Sequence, residues 1–328
     1  MAPLLDVEGL VVDIAVHSGA LHAVRDVSFQ VDRGETLCLV GESGCGKTMT
    51  ALALMGLLPS AARRRVRRLA FQGESLATAA ADRMASLRGH RMVMVFQEPM
   101  TALNPAYTIG NQLAEGHRRH LGSSRLVARE RAVELLEKLG VNAASERLRQ
   151  YPHQLSGGLR QRVMIAMALM CAPSLLIADE PTTALDVTVQ AQILRLLIEL
   201  QRDFGIGILL ITHDLGVVAR VAHRVAVMYA GEIVESGTTA AVFAAPRHPY
   251  TRGLMTSIPV PGQTPPGGRL GAIPGIVPSL IGEMRGCAFR DRCAHALTIC
   301  TAPVAWRAEE NHGWRCVLSP SPAHAEVA

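Results

Sequence analysis

Residues 41–48 carry the strongest chemical pattern in the sequence. They read GESGCGKT and fit the spacing G-x-x-x-x-G-K-[ST] in full, between the apolar run ETLCLVG and the helical pattern KTMTALALMGLL. A glycine-rich loop in this setting turns successive backbone N–H groups toward phosphate oxygens, and the helix start adds the positive end of its dipole. The predicted phosphate-binding residues are Gly41, Glu42, Ser43, Gly44, Cys45, Gly46, Lys47 and Thr48.

Three side chains of this loop have separate predicted roles. Lys47 would neutralise the β- and γ-phosphates, and Thr48 would offer its hydroxyl to Mg²⁺. Lysine occurs elsewhere only at Lys138, so a lysine at this motif position is a strong signal. Cys45 is either merely a small residue or a thiol whose ionised form is favoured at the helix N-terminus. In the second case, alkylation of Cys45 would block nucleotide binding.

A pair of carboxylates provides the second part of a nucleotide site. The segment SLLIADEP at 174–181 predicts a buried strand that ends in Asp179 and Glu180. Ligands of parallel sheets bind at the carboxyl ends of the strands. Asp179 would hold Mg²⁺, and Glu180 would act as the general base that polarises the attacking water. Two acids in a surface turn are the alternative, which the upstream phosphate loop disfavours.

Further motifs give the chain a specific resemblance to the ABC ATPases. The segment LSGGLRQRV at 155–163 resembles the family's signature sequence, and Gln97 in VFQEP resembles its Q-loop. Residues 183–186, TALD, resemble the D-loop, and His213 in LLITHD resembles the switch histidine. Together with the phosphate loop and the carboxylates, these motifs follow the family's order over residues 5–245.

The resemblance implies a head-to-tail dimer that sandwiches two nucleotides. Ser156, Gly157 and Gly158 would bind the γ-phosphate of the nucleotide held by the other subunit, because a helix start suits an anion. His213 would contact the γ-phosphate and orient the water, and Gln97 would contact Mg²⁺. The signature carries Leu159 where glutamine is commonest, which leaves the phosphate-binding residues intact. The family's adenine-stacking aromatic is absent, since His17 or Ser18 falls at its place.

The elements that position these residues predict an α/β fold. Strand–helix alternation indicates a P-loop NTPase core with a mixed, mainly parallel sheet, joined by an antiparallel β subdomain, a helical subdomain and an irregular C-terminal extension. An arginine-rich stretch at 63–68 is interpreted mainly as a solvated loop. The predicted domains are the nucleotide-binding core with its β subdomain at 1–97 and 166–245, the helical signature subdomain at 98–165, and the extension at 246–328.

The extension resembles that of peptide-type ABC importers. The resemblance rests on PRHPYTRGLMTSIP at 246–259 and IPGIVPSL at 273–280. Four thiolates from an irregular segment can enclose an iron–sulfur cluster or a zinc ion, although their spacing matches neither a ferredoxin nor a zinc finger. The resemblance favours a [4Fe–4S] cluster with a structural role; zinc and free thiols are the alternatives. The cysteines are Cys287, Cys293, Cys300 and Cys316.

Bulk composition narrows the partners. Aromatic residues make up only 4% of the chain, which argues against a surface that stacks on nucleic-acid bases. The most apolar run, at 163–178, is interrupted by Pro173 and is too short to span a bilayer. The chain opens without a secretion signal pattern. These features predict no membrane span and no nucleic-acid partner. The resemblance to ABC importers implies that the protein binds peripherally to the cytoplasmic face of the cell's inner membrane.

These observations predict the ATP-hydrolysing subunit of an ABC importer for dipeptides or oligopeptides, with ATP and Mg²⁺ as ligands. The expected partners are a second ATPase subunit, preferably a related paralogue, two transmembrane permease subunits and, indirectly, an extracytoplasmic solute-binding protein. An importer of nickel, glutathione or another solute is the alternative, because the binding protein and the permease choose the cargo. A non-transport ABC ATPase is a further alternative that the extension disfavours.

Overall fold

The computed structural model describes residues 2–96, 102–181, 187–257, 273–282 and 284–318. Two predicted motifs, Gln97 and the segment 183–186, lie outside the described residues. The chain divides into two compact units that are each assembled from separated stretches. The first unit comprises Met1–Leu5, Val31–Thr36 and Ala70–Ile211, and the second comprises Asp6–Gln30, Leu37–Leu69 and Thr212–Ala328.

The strands and helices alternate along the central part of the chain, as predicted. The strands are β1 (Leu5–Val16), β2 (Gly19–Val31), β3 (Thr36–Val40), β4 (Ala62–Arg65), β5 (Arg68–Phe71), β6 (Glu74–Ser75), β7 (Met92–Val95), β8 (Leu175–Asp179), β9 (Gly207–Thr212), β10 (Arg224–Tyr229), β11 (Glu232–Thr238), β12 (Arg307–Glu309) and β13 (His312–Trp314). The helices are α1 (Lys47–Met55), α2 (Ala81–Leu87), α3 (Ile109–Leu121), α4 (Arg125–Lys138), α5 (Ala144–Arg147), α6 (Gly157–Leu169), α7 (Val187–Phe204), α8 (Leu215–Val221), α9 (Thr239–Ala244) and α10 (Pro249–Thr256).

The first unit contains a parallel trio of strands. β8 pairs with β7 on one side and with β9 on the other, with Asp179 opposite Ile211. All residues of β8 and β9 are buried, which explains their mainly apolar sequences. Helices α3, α4 and α6 pack on one another, and they begin within the segment 98–165 that is predicted to be helical. Hydroxyl side chains cap their starts: Thr108, Ser124 and Ser156.

The second unit combines parallel and antiparallel pairing. β3 pairs in parallel with β10, and β10 turns into β11 through Ala230 and Gly231, which both have positive φ as a two-residue hairpin turn requires. In a separate sheet β1 pairs with β2, β5 and β4, and its pairing with β4 is antiparallel. The predicted antiparallel β subdomain is therefore present.

The C-terminal extension is less irregular than predicted. β13 adds to the edge of β11 in antiparallel register, with Trp314 opposite Glu235, and β12 pairs with β13. The tail strand β13 pairs with backbone groups at the edge of β11, and Trp314 is buried. Pairing with β11 therefore produces a strand that the short local sequence did not indicate.

The arginine-rich stretch at 63–68 is also not simply a solvated loop. Its residues form β4 and the start of β5, and their charges face carboxylates of the same unit. Arg65 lies 2.6 Å from Asp13, and Arg68 lies 2.7 Å from Asp6. Arg67 also lies 2.7 Å from Asp26, so acidic residues of the same unit partly neutralise the stretch.

The predicted domain boundaries remain predictions, since the two compact units divide the chain at other positions. The helical segment and strands β7 to β9 belong to one unit, whereas the phosphate-loop strand β3 belongs with the C-terminal extension. Within the described residues, no helix is both long enough and apolar enough to cross a membrane.

Candidate nucleotide-binding site

The predicted phosphate loop joins β3 to α1 in the second unit. Glycine is required at two of its positions. A Cβ at Gly41 would collide with the carbonyl oxygen of Met228, and one at Gly46 would collide with that of Ala23. Gly46 also has a φ of 107°, which disfavours any L side chain, and it provides the N-cap of α1. The loop therefore packs closely against neighbouring backbone, which only glycine permits at these two positions.

The loop carries a buried positive charge and an open face. The Lys47 side chain is 5% exposed, and its Nζ donates hydrogen bonds of 2.8 and 2.9 Å to the carbonyl oxygens of Gly41 and Glu42. Ser43, Gly44 and Thr48 are exposed. Lysine inside the loop and exposed backbone around its rim suit a polyphosphate.

Cys45 does not behave as a reactive thiol. Its side chain is buried, with Sγ 3.8 Å from Lys47 Nζ. Burial raises the pKa of the thiol, and the neighbouring Lys47 only partly opposes that rise. The thiolate hypothesis is therefore wrong, and the interpretation of Cys45 as a small residue that fits a tight loop is the correct one.

The carboxylate pair ends β8 in the first unit. Asp179 is the last residue of the strand and is 2% exposed, whereas Glu180 is half-buried. Glu180 adopts a left-handed backbone conformation with φ 46°, and its N–H donates a 2.9 Å hydrogen bond to Ile211 O. Such a conformation costs a non-glycine residue on the order of 1–3 kcal/mol and is concentrated at functional sites. The sequence placed both carboxylates at the carboxyl edge of the strand, where they are found.

The signature residues open α6 in the same unit as the carboxylates. Ser156 caps the helix, its Oγ accepting a 3.4 Å hydrogen bond from Leu159 N. Ser156 and Gly157 are exposed, so the helix start is accessible to an anion. A Cβ at Gly158 would come within 3.2 Å of Val189 on α7, which explains a small residue there.

Sequence reasoning missed Gln161. Its side chain is 1% exposed, and Nε2 donates a 2.6 Å hydrogen bond to the carbonyl oxygen of Pro181, the residue after Glu180. This bond connects the signature helix with the carboxylate segment inside one unit. The available signal was a glutamine in a helix that continues, after Arg162, with the apolar residues Val163, Met164 and Ile165.

His213 directly follows β9 and is exposed. The next residue, Asp214, caps α8, with Oδ1 accepting hydrogen bonds of 2.8 and 3.3 Å from the N–H groups of Gly216 and Val217. His213 is therefore held in a short connection fixed at both ends, by the strand and by the capped helix.

The four cysteines of the extension converge. All four line one cavity in the second unit, together with His248 and Phe289. Burial, together with the negative charge of the other three thiolates, raises the pKa of the Cys287 thiol to about 11, and a backbone hydrogen bond at Phe289 opposes the rise. None of the four forms a disulfide. Even so, among the residues that the structure describes, no three histidine, cysteine, aspartate or glutamate side chains form a ready-made group for a metal ion.

Comparison with known proteins identifies the family. Residues 24–183 match the ABC transporter family, and residues 234–300 match the C-terminal region of oligopeptide/dipeptide transporters. A putative peptide import ATP-binding protein of Brucella abortus is 51% identical over 334 residues, covering 96% of this chain and 97% of the relative. The chain belongs to the ATP-binding subunits of ABC transporters.

Two further comparisons support this assignment of the ABC ATPase. The dipeptide transport ATP-binding protein of Bacillus subtilis is 48% identical over 330 residues, covering 100% of this chain and 98% of the relative. A solved dimeric bacterial ABC transporter cassette superposes with a TM-score of 0.64 at 25% identity, covering 72% of this chain and 98% of the cassette. The predicted P-loop NTPase fold, ABC family and ATPase activity are confirmed.

The residues of this ABC ATPase fit the ligands that the family binds. Lys47 and the exposed rim of the loop suit a triphosphate, and Thr48 and Asp179 present oxygen atoms of the kind that Mg²⁺ prefers. The described residues around His17 and Ser18 are an exposed turn without an aromatic side chain for adenine.

Proposed function

We propose that this ATPase powers the import of dipeptides or oligopeptides. The observation that carries the proposal is the match of residues 234–300 to the C-terminal region of oligopeptide/dipeptide transporters. Relatives covering nearly the whole chain are named for peptide import and dipeptide transport, which supports the same cargo. Nickel, glutathione and other solutes are the alternative cargoes, since no described feature of the ATPase contacts cargo.

The proposed chemistry assigns each motif one task. Lys47 and the backbone N–H groups of the phosphate loop bind the β- and γ-phosphates, and Glu180 accepts the proton of the attacking water. His213 orients that water at the γ-phosphate. Thr48, Gln97 and Asp179 would hold Mg²⁺, which would supply positive charge to offset that of the phosphates. The residues proposed to contact the nucleotide on the partner subunit are Ser156, Gly157 and Gly158.

The proposed assembly follows from a nucleotide site that two subunits share. Because the signature of one subunit serves the nucleotide of another, two ATPase subunits are needed, and we assign the second to a related paralogue. Two permease subunits would carry the cargo, supplied by an extracytoplasmic solute-binding protein. The ATPase would bind the permeases from the cytoplasmic face of the cell's inner membrane.

Glu180→Gln tests the chemistry. The amide keeps the side-chain shape but cannot accept the proton, so we expect ATP binding to persist while turnover falls at least about a hundredfold, the range typical for loss of a general base. Nucleotide binding by the purified chain, and phosphate release by the chain assembled with its second ATPase subunit, measure the two effects. Substantial retained hydrolysis would exclude Glu180 as the main base.

Uptake tests the cargo. The subunit would be expressed together with the second ATPase subunit, the permeases and the binding protein of its transporter, and uptake of labelled dipeptides, tripeptides, glutathione and Ni²⁺ would be compared. Peptide uptake that is lost in Lys47→Ala supports the proposal. Uptake of Ni²⁺ or glutathione without peptides would replace the proposed cargo while leaving the ATPase assignment intact.

We also propose that Cys287, Cys293, Cys300 and Cys316 hold a [4Fe–4S] cluster that pins the extension. Their convergence on one cavity supports it, because four soft thiolates are a donor set for iron–sulfur or zinc. Iron, sulfide and zinc would be measured in anaerobically purified protein, with Cys171→Ser as the control for Cys300→Ser. One equivalent of zinc without iron would show that the site holds zinc and not the cluster. If neither metal is found, the four cysteines are free thiols.

A further inference from the structure

An ion pair joins the C-terminal extension to the phosphate loop. Arg292 lies between Cys287 and Cys293, and its guanidinium binds both carboxylate oxygens of Glu42, with N–O distances of 2.7 and 3.0 Å. The Arg292 side chain is 4% exposed and that of Glu42 is 30% exposed. A paired, bidentate guanidinium shielded from water is among the stronger and more directional polar contacts in proteins.

The arginine is fixed on its other sides as well. Its Nε donates a 2.9 Å hydrogen bond to Pro274 O, and Nη2 donates a 3.1 Å hydrogen bond to Ile273 O. Its guanidinium carbon lies 5.7 Å from the ring centroid of Tyr229 and 5.9 Å from that of Phe289. Arg292 is therefore a rigid anchor for Glu42.

A second residue of the extension contacts the same loop position. The N–H of Glu42 donates a 2.8 Å hydrogen bond to the hydroxyl oxygen of Tyr250. Tyr250 is fully buried and packs against Tyr229 and Phe289, with ring centroids 4.5 and 5.4 Å away. Burial raises the pKa of its phenol, which stays protonated at physiological pH. The Glu42 N–H is thus directed to the extension and away from phosphate.

These contacts reach Lys47 in one further step. The carbonyl oxygen of Glu42 accepts a 2.9 Å hydrogen bond from Lys47 Nζ. Both the N–H and the carbonyl oxygen of Glu42 are therefore hydrogen-bonded to side chains. A shift of Glu42 would move the backbone that orients the lysine. Moreover, an unpaired Glu42 carboxylate would place a negative charge in an anion-binding loop and repel phosphate.

We infer that Arg292 and Tyr250 are positioning residues for ATP binding, acting through Glu42 to fix the first turn of the phosphate loop and to neutralise its carboxylate. Both residues contact the loop at Glu42. The extension therefore sets the ATP affinity of its own subunit, a role separate from the choice of cargo.

The first test is nucleotide affinity of the full-length chain. We expect Arg292→Gln to weaken ATP and ADP binding about tenfold and Tyr250→Phe about threefold, as loss of charged and neutral hydrogen bonds respectively implies. Arg307→Gln, which removes the same charge from an exposed strand of the extension, should stay within about twofold of the parent. Dissociation constants come from titration calorimetry, and circular dichroism checks folding. Parent-like affinity in Arg292→Gln would overturn the inference.

The second test separates charge positioning from simple structural support. Glu42→Gln/Arg292→Gln removes the carboxylate that Arg292→Gln leaves unpaired, so the double variant should bind ATP more tightly than Arg292→Gln alone. Arg292→Lys should recover part of the affinity, because it restores the charge without the bidentate fork. A double variant as weak as or weaker than Arg292→Gln would overturn the inference. If Arg292→Gln fails to fold, Arg292→Lys and Tyr250→Phe decide, and parent-like affinity in both would overturn it.

Discussion

The side-chain amide of Gln161 donates a 2.6 Å hydrogen bond to the carbonyl oxygen of Pro181. Gln161 lies in the signature helix α6, and Pro181 follows the proposed general base Glu180. One buried side chain thus joins the element proposed to bind the partner's nucleotide to the segment that holds the base for its own.

Gln161→Leu keeps the side-chain volume but removes this donor. We expect kcat to fall about tenfold, because Glu180 loses its fixed neighbour, while ATP affinity stays within about twofold, since the phosphate loop is untouched. The unpaired Pro181 carbonyl should also lower the free energy of unfolding by about 1–3 kcal/mol. Steady-state ATPase kinetics and urea denaturation measure both.

Gln192→Leu is the matched control, because the Gln192 amide is exposed and accepts only from Arg162 among the described contacts. Its kcat should resemble that of the parent. If Gln161→Leu also retains parental kcat, the hydrogen bond has no role in positioning the base.

The loop glycines should differ in their tolerance of alanine. Gly46→Ala would force a Cβ onto the Ala23 carbonyl oxygen at an unfavourable φ, so we expect loss of measurable ATP binding. Gly44→Ala meets only the left-handed strain of about 1 kcal/mol, because no atom lies within 4 Å of its Cβ position. Equal losses of affinity in the two variants would show that the collision is relieved by movement of β2.

Cys45 should resist alkylation in the folded protein. Its thiol is buried and its pKa is raised, so both access and ionisation oppose the reaction. Iodoacetamide at pH 7.5 followed by mass spectrometry should show Cys45 modified rapidly only after denaturation in urea. Fast stoichiometric labelling of the native chain, with loss of ATP binding, would restore the thiolate hypothesis.

Stability should fall as pH decreases from 6.5 toward 4 because of His248. Burial lowers the pKa of this histidine to about 4, with Arg252 adding to the decrease and Glu235 opposing it. Its Nδ1 accepts a 3.1 Å hydrogen bond from Tyr250 N, which protonation there would break. In this window the unfolded chain binds a proton that the folded chain excludes, so the free energy of unfolding rises with pH, by about 3 kcal/mol in total.

His248→Asn tests this assignment. Asparagine also caps helices but does not titrate, so its free energy of unfolding should depend less steeply on pH between 4 and 6.5 than that of the parent. His17→Asn, at an exposed turn, should keep the parental slope. An unchanged slope in His248→Asn would assign the pH dependence to other groups.

The residues that carry the chemistry of the site were easier to predict from the sequence than the long-range contacts that hold them in place. The phosphate loop, the carboxylates and the signature are local patterns, and strand–helix alternation places them at strand ends and helix starts. The contacts of Glu42 with Tyr250 and Arg292 join residues 208 and 250 positions apart, which no periodicity encodes. The tail strand β13 likewise depends on the free edge of β11. The burial of Cys45 was missed because helix position was weighed without the surrounding packing.

The pair of Arg292 and Glu42 also bears on biosynthesis. The phosphate loop leaves the ribosome early, but the arginine that neutralises its carboxylate is synthesised 250 residues later. At about 5–20 residues per second, that interval is roughly 10–50 s. A nascent chain therefore has a complete phosphate-loop motif before Arg292 is available, and we expect it to bind ATP weakly until the extension has folded. A chain that terminates before Arg292 should keep this weak binding.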